Sequence, residues 1–235
     1  MSVQGVLSFL YGVSVWVLPV LIAITFHEAA HGWVADRLGD DTARRLGRVT
    51  FNPLRHVDRV GTVLLPGLLL LFRLLGASTF VFGYAKPVPV NFARLRRPKR
   101  DMVWVALAGP ATNLLLAVVS ALAMHATSYF SSRFGGWLDD NLAHSVLINV
   151  VLAVFNMLPL PPLDGGRVLT GLLPRPLAYR FARIERYGMF ILIGFLFLLP
   201  LVGTQLGVDL NLFVWLLGPP VDMLLQFIVV VTGHG

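Results

Sequence analysis

The first residues in the chain that could do chemistry form the motif HEAAH, in which His27 and His31 flank Glu28. Positions four apart share one face of a helix, so both imidazoles could bind the same metal ion. The Glu28 carboxylate, one residue along, is placed to act on a water at that ion rather than to bind it. With six histidines and only two glutamates in the chain, composition alone rarely produces this pattern. The motif predicts a metal-dependent hydrolytic site; unrelated polar residues near a membrane interface are the alternative.

A third metal ligand is expected, because a catalytic site of this type uses three protein ligands and keeps one position open. Cysteine is absent, and the other four histidines fall in a loop, near the predicted outer face or in the tail. The best candidate is Asp164 in NMLPLPPLDGGR, residues 156–167, where prolines stop a helix and two glycines allow a sharp turn. An aspartate in an ordinary Pro/Gly turn is the alternative. Because the two-histidine site lacks a third protein ligand, we favour Asp164 as a metal ligand over Asp164 as an ordinary turn residue.

The composition of the chain places this site in a membrane. Of 235 residues, 56% are hydrophobic and 13% are charged, which is more apolar than soluble domains are. The net charge of +7 does not indicate a nucleic-acid partner, because the basic residues lie in short segments between apolar stretches. Basic residues in such positions anchor a membrane protein to an anionic leaflet of the bilayer.

Five apolar stretches are long enough, or nearly so, to cross about 30 Å of hydrocarbon. They cover about residues 6–35, 102–127, 142–160, 187–202 and 210–232. Most arginines and lysines fall in the connecting segments 36–59, 83–101 and 167–186, which the positive-inside rule assigns to the cytoplasm. We therefore expect a multi-pass protein of the plasma membrane, with the metal site inside the membrane towards the cytoplasmic side.

Two further segments lie between the first and second spans. The apolar stretch 61–82 has basic segments on both sides, so a single crossing would expel one of them. We expect a re-entrant hairpin there, with a spanning helix as the alternative. In the following FGYAKPVPVN, Pro87 and Pro89 disfavour helix and favour extended chain. The segment predicts a small β element whose edge could pair with a bound peptide; a loop at the lipid surface is the alternative.

These motifs together resemble those of the site-2 protease family, the intramembrane zinc metalloproteases. HEAAH is similar to the family's zinc-binding helix, and LDG, residues 163–165, to the segment that supplies the third ligand. NPLRHVDRVGT followed by FGYAKPVPVN, and AGPATN at residues 108–113, also agree and occur in the family's order. The resemblance covers most of residues 20–170 and is greatest to the compact prokaryotic branch without PDZ or CBS domains.

The resemblance implies one zinc ion per chain, held by His27, His31 and Asp164, with Glu28 as the catalytic base. It also assigns Asn156 to substrate positioning or to stabilising the transition state through a hydrogen bond to the developing oxyanion. A hydrogen bond between helices is the alternative for Asn156. The candidates for substrate binding are Gly83, Tyr84, Lys86, Pro87, Val88, Pro89 and Asn113, the last of which also has a structural alternative.

The expected fold is an all-α polytopic membrane protein that forms a single domain over residues 1–235. Its three-helix catalytic core lies within about residues 6–170, with accessory spans at about 187–232 and a small membrane-associated β element or re-entrant hairpin. Such a protein would hydrolyse peptide bonds within or next to transmembrane segments of membrane-protein substrates. The alternative is a transporter or metal permease with the His/Asp cluster as an ion path, which needs no base beside its ligands. Asp222 is expected at the depth of the last span. A structural role is predicted for it, with a gating role as the alternative.

Overall fold

The computed structural model describes residues 3–58 and 86–235, together with residues 61, 64, 67, 68 and 71. Within these residues the helices are α1 (Val3–Arg37), α2 (Thr42–Arg45), α3 (Pro98–Met124), α4 (Ser132–Asn156), α5 (Asp164–Leu172), α6 (Arg175–Ala182), α7 (Glu185–Ile193), α8 (Leu199–Leu206) and α9 (Leu212–Val231). A π-helical stretch, Gly194–Leu198, joins α7 to α8.

Five helical segments of the described residues are long and apolar enough to cross a membrane. They are α1, α3, α4, the continuous segment from α7 to α8, and α9. The prediction of five spans is therefore confirmed for this part of the chain, as is the all-helical, membrane-spanning class of fold. Hydropathy could predict the spans because each must satisfy its backbone hydrogen bonds internally while presenting apolar side chains to lipid.

Helix α1 carries the HEAAH motif and ends just beyond it. Its 35 residues span about 52 Å, more than the hydrocarbon core requires. The helix stops where Gly39 adopts a positive φ of 114°. There the Asp40 N–H bonds to the Ala35 carbonyl at 2.9 Å, a closure that a left-handed glycine permits. The position of this glycine therefore fixes how far the motif lies from the end of the helix.

Helices α1, α3 and α4 pack against one another, and α5 packs against α3. Small side chains let helices in a membrane approach closely, where packing supplies much of the association energy. The buried small residues of these helices include Ala23, Ala35, Ala106, Ala117, Ala121 and Ala153. Helix α9 joins the bundle through a cluster in which Leu217 and Val221 pack with Ala117 and Val150.

The chain before α3 is held against the end of α1. The Arg96 N–H bonds to the Leu38 carbonyl at 3.0 Å, and the Asn91 N–H bonds to the carboxylate of Asp40 at 2.6 Å. Asp40 is fully buried, so its carboxylate is a fixed acceptor. The C-terminal end of α1 and the N-terminal approach to α3 therefore lie at one end of the bundle.

The β element expected at residues 83–91 is not found in the part of this segment that the structure describes. Residues 86–91 have no regular secondary structure. Pro87 and Pro89 have no N–H to donate, and the N–H groups of Val88 and Asn91 go to side-chain carboxylates. Too few free donors remain for a sheet ladder. Residues 83–85, and the predicted hairpin at 61–82 except for five isolated positions, lie outside the described residues.

Candidate metal centre and catalytic cavity

Three side chains from two distant parts of the sequence meet between α1 and the N-terminus of α5. The Nε2 atoms of His27 and His31 are 3.0 Å apart. The Oδ2 atom of Asp164 lies 3.1 Å from the first and 3.3 Å from the second. All three residues are buried, and they form a group that could hold a metal ion.

The hydrogen bonds on the far side of each imidazole fix its tautomer. The Nδ1 of His31 lies 2.7 Å from the backbone carbonyl of Val105, which can only accept, so this nitrogen carries the hydrogen. The Nδ1 of His27 lies 2.5 Å from the Oδ1 of Asn113, also an acceptor. In the neutral imidazoles both Nε2 atoms are therefore unprotonated, and their lone pairs point towards Asp164.

The carboxylate of Asp164 faces these two nitrogens. Its Oδ2 atom lies 3.1 and 3.3 Å from them and is buried without a hydrogen-bond partner. A buried carboxylate beside two nitrogen lone pairs is unfavourable unless a positive charge lies among them.

A divalent transition metal fits these residues. Tetrahedral ligands at about 2.0–2.2 Å from a zinc ion are about 3.3–3.6 Å from one another, close to the 3.0–3.3 Å separations of these donor atoms. Imidazole nitrogen and carboxylate oxygen are ligands that zinc accepts. Three protein ligands leave a fourth position for a water or substrate, which is the arrangement of catalytic rather than structural sites.

Glycines allow the backbone around the metal centre to pack closely against the ligand side chains and against itself. A Cβ on Gly109, in the AGPATN motif of α3, would lie 2.5 Å from both the Cε1 of His27 and the Nε2 of His31. A Cβ on Gly165 or Gly166 would collide with the backbone of residues 157–161. The chain after α4 can therefore fold back over the start of α5, which directs Asp164 towards α1.

Glu28 lies at the edge of this metal centre and is held by the segment 86–91. Its Oε2 atom accepts a hydrogen bond of 2.6 Å from the backbone N–H of Val88. That segment is in turn held by Arg48, whose guanidinium donates to the carbonyl of Lys86 at 2.6 Å and to the carbonyl of Arg55. The carboxylate is thus fixed beside the metal ligands without being one of them.

The metal centre opens into a cavity of about 420 Å³. Its polar wall contains His27, Glu28, His31, Asn156, Asp164 and Arg167. Its apolar wall comes mainly from α1, α4 and the fourth span, and includes Ile24, Leu152, Phe155, Met189, Leu192 and Phe197. The arrangement places acid–base and metal-binding groups at one side of a space suited to apolar side chains.

The other predicted site residues are distributed unevenly around this cavity. Asn156 lines it, and its amide donates to the carbonyl of Leu152 on its own helix at 3.0 Å. Pro87 and Val88 also line the cavity. Lys86 is exposed, and Pro89 is half-buried; neither lines the cavity. Gly83 and Tyr84 lie outside the described residues.

Asn113 lies behind His27 rather than in the cavity. Its side chain is fully buried and contacts the imidazole; its expected contact with substrate stays a prediction. Its Nδ2 atom donates to the Oδ1 of Asn149 at 2.8 Å. The sequence analysis did not single out Asn149, Val105 or Arg48. Asn149 alone carried a signal, as a polar residue within an apolar span.

Comparison with known proteins adds evidence of ancestry. The model for "Peptidase family M50" matches residues 15–135 and 133–199. "Putative zinc metalloprotease YwhC" of Bacillus subtilis is 39% identical over 199 residues, which cover 83% of this chain and 85% of that protein. "Putative zinc metalloprotease Rip2" of Mycolicibacterium smegmatis is 29% identical over 184 residues, 77% of this chain and 67% of that protein. No solved structure matches the chain.

Proposed function

The chain belongs to peptidase family M50, the site-2 proteases, and we propose that it is a zinc metalloendopeptidase that cleaves membrane proteins within or next to their transmembrane segments. The observation that carries this proposal is the convergence of two unprotonated imidazole nitrogens and a partnerless carboxylate oxygen beside Glu28. Relatives named as zinc metalloproteases support the choice of metal.

One zinc ion per chain would be held by His27, His31 and Asp164. When bound, zinc supplies a Lewis acid that lowers the pKa of a water and polarises the carbonyl to be attacked. The chain itself orients the two imidazole rings. The Val105 carbonyl and the Asn113 side chain hold the two rings with their Nε2 atoms towards the ion.

Glu28 acts as the general base. Its Oε2 is held by the Val88 N–H at 2.6 Å, so the carboxylate remains at the cavity wall instead of turning into the metal centre. From there it takes a proton from the attacking water and passes it to the leaving amine nitrogen. A fixed carboxylate suits this task because the proton must be collected and delivered at nearly the same place.

Asn156 is the proposed donor to the oxyanion that develops on the scissile carbonyl. A side-chain amide has two hydrogens. One is directed to the Leu152 carbonyl, which orients the group, and the second is available to the cavity that Asn156 lines. A preoriented donor of this kind stabilises the transition state more than the ground state.

The substrate must enter as extended chain, because a helix hides its own carbonyls in hydrogen bonds. We propose that residues 83–91, which include Gly83, Tyr84, Lys86 and Pro89, bind that extended chain beside the metal centre. Support comes from Pro87 and Val88 on the cavity wall. The apolar character of the opposite wall fits side chains drawn from a membrane span.

We place the cavity on the cytoplasmic side of the plasma membrane. Trp16 and Trp33 are half-exposed residues of α1 and lie about 26 Å apart along the helix, close to the thickness of the hydrocarbon core. Tryptophans prefer the two interfaces. His31 is about 3 Å and His27 about 9 Å from the level of Trp33, at the end where Arg37 and the basic loops lie.

The proposal is tested with Glu28→Gln, which keeps the shape of the side chain but removes its ability to accept a proton at neutral pH. Cells that produce this variant should accumulate membrane proteins that the wild-type protein removes, as measured by quantitative proteomics of the membrane fraction. The variant should keep its zinc. The matched control is Glu185→Gln, because Glu185 is the other glutamate and is exposed at the start of α7. Equal membrane proteomes for wild type and Glu28→Gln would contradict the proposal.

A further inference from the structure

A chain of buried amides runs from His27 away from the cavity and towards the opposite end of the bundle. Asn113 on α3 and Asn149 on α4 are both fully buried. The Asn113 Oδ1 contacts the Nδ1 of His27 at 2.5 Å, and its Nδ2 donates to the Oδ1 of Asn149 at 2.8 Å. The Nδ2 of Asn149 donates to the backbone carbonyl of Ser145 at 2.9 Å. Three helices thus contribute to one line of hydrogen bonds.

Backbone carbonyls give this line a single direction. A carbonyl can only accept, so the Ser145 carbonyl requires that the NH₂ group of Asn149 faces it and that the oxygen faces Asn113. The Ala23 carbonyl, 3.3 Å from the Nδ2 of Asn113, orients the second amide in the same sense. The oxygen of Asn113 therefore faces His27. The Nδ1 of His27 must carry the hydrogen, and its Nε2 is left free for a metal.

We infer that Asn149 is a positioning residue for the metal centre, acting through Asn113 to hold His27 in the metal-binding tautomer and ring orientation. The inference rests on the proposed function in assuming that the site binds zinc. His31 needs no such relay, because the Val105 carbonyl accepts from it directly at 2.7 Å. The partner of His27 is a side-chain amide, which can present either its oxygen or its NH₂ group. Its orientation depends on the acceptors of its Nδ2 atom, of which Asn149 at 2.8 Å is nearer than the Ala23 carbonyl at 3.3 Å.

The competing role for Asn149 is a hydrogen bond that only joins α3 to α4. Such contacts between membrane helices contribute only modestly to stability. Losing a purely structural contact lowers the thermal stability of the metal-free protein but leaves the zinc affinity of the folded protein unchanged. Losing the relay lowers zinc affinity, because Asn113 can turn its NH₂ group to His27 and favour the wrong tautomer. Partners of metal ligands typically change affinity about 10- to 100-fold.

The test measures the zinc dissociation constant of the full-length, detergent-solubilised protein by competition with a chelator. Asn149→Leu keeps the side-chain volume and removes all the hydrogen bonds of this side chain, and it should weaken zinc binding about 10-fold. Ser120→Ala is the matched control. It removes a hydroxyl that contacts Ser145 at 2.7 Å across the same two helices but keeps the hydrogen bonds of Asn149, so its zinc affinity should equal that of the wild type.

A double variant and the spectrum of the bound metal distinguish a positioning role of Asn149 from a general loss of structure. If Asn149 acts through Asn113, the double variant Asn113→Ala/Asn149→Leu should bind zinc no more weakly than Asn113→Ala alone. The visible spectrum of the Co²⁺-substituted protein should change in Asn149→Leu and not in Ser120→Ala. Asn149→Ala, which adds no bulk, is measured in the same way in case the leucine variant does not fold.

Two results would overturn the inference. Zinc affinity within twofold of wild type in folded Asn149→Leu or Asn149→Ala would show a structural contact only, even with a lower melting temperature. A wild-type protein that binds no zinc would overturn the relay and the proposed function together. Zinc binding that depends on Asn149 in a protein without protease activity would support the relay and contradict only the proposed function.

Discussion

At the scale of single residues, the donor atoms of His27, His31 and Asp164 form an arrangement that needs a cation. Asp164→Ala should lower the zinc content from about one ion per chain, because only two ligands remain. The loss of affinity should exceed the roughly 10- to 100-fold expected for a partner of a ligand. Metal analysis of the purified protein measures the change. Asp222→Ala is the matched control, because Asp222 is an exposed carboxylate on α9. Full zinc occupancy in Asp164→Ala would remove Asp164 from the metal centre.

Residue types and spacing predict chemistry best where one element carries the whole pattern. His27, Glu28 and His31 could be related to one another from the helical period alone. Asp164 could be identified only by ruling out the other possible ligands, because its distance from the two histidines depends on a turn between two helices. The roles of Asn149 and Arg48 could not be predicted, because each depends on which neighbour the packed bundle places within hydrogen-bond reach.

At the scale of elements, the approach of α3 to α1 controls the metal centre. Gly109→Ala would place a Cβ 2.5 Å from two ligand side chains, so α3 must move away or the imidazoles must turn. We expect a loss of about 1–3 kcal/mol in stability from overpacking together with weaker zinc binding. Melting temperatures and chelator competition measure the two effects.

The control for this change is Gly136→Ala on α4, where an added Cβ meets nothing within 4 Å. Alanine is favoured over glycine inside a helix by about 0.5–1 kcal/mol, so this variant should be as stable as wild type or more stable, with unchanged zinc affinity. Unaltered zinc binding and stability in Gly109→Ala would show that the helices tolerate a wider spacing than the structure has.

Elements differ in how far the sequence specifies them. The five spans follow from length and hydropathy, because lipid leaves a spanning segment few other conformations. The conformation of residues 86–91, in contrast, depends on tertiary contacts. Their prolines correctly excluded helix, but the carboxylates of Glu28 and Asp40 accept the N–H groups that a β ladder would use. Competition between side-chain and backbone acceptors depends on tertiary packing, and no local pattern reveals it.

At the scale of the whole molecule, the contacts at the end of α1 lead to a prediction about the sidedness of the loops. The Leu38 carbonyl and the Asp40 carboxylate hold the chain that leads into α3, so we expect residues 38–58 and 86–97 on one side of the membrane. The segment before α4 lies at the other end of α3, and we expect it on the opposite side.

Labelling of single cysteines tests this topology, because the chain has no cysteine of its own. Leu46→Cys, Ala93→Cys and Ser131→Cys replace exposed residues in the loop after α1, the loop before α3 and the loop before α4. In intact spheroplasts an impermeant maleimide should label only the cysteine at position 131. After the membrane is permeabilised, it should label all three. Opposite accessibility of positions 46 and 93 would require an odd number of crossings between them and would contradict the shared side. Labelling of both from outside would reverse the proposed orientation and move the catalytic cavity to the outer leaflet.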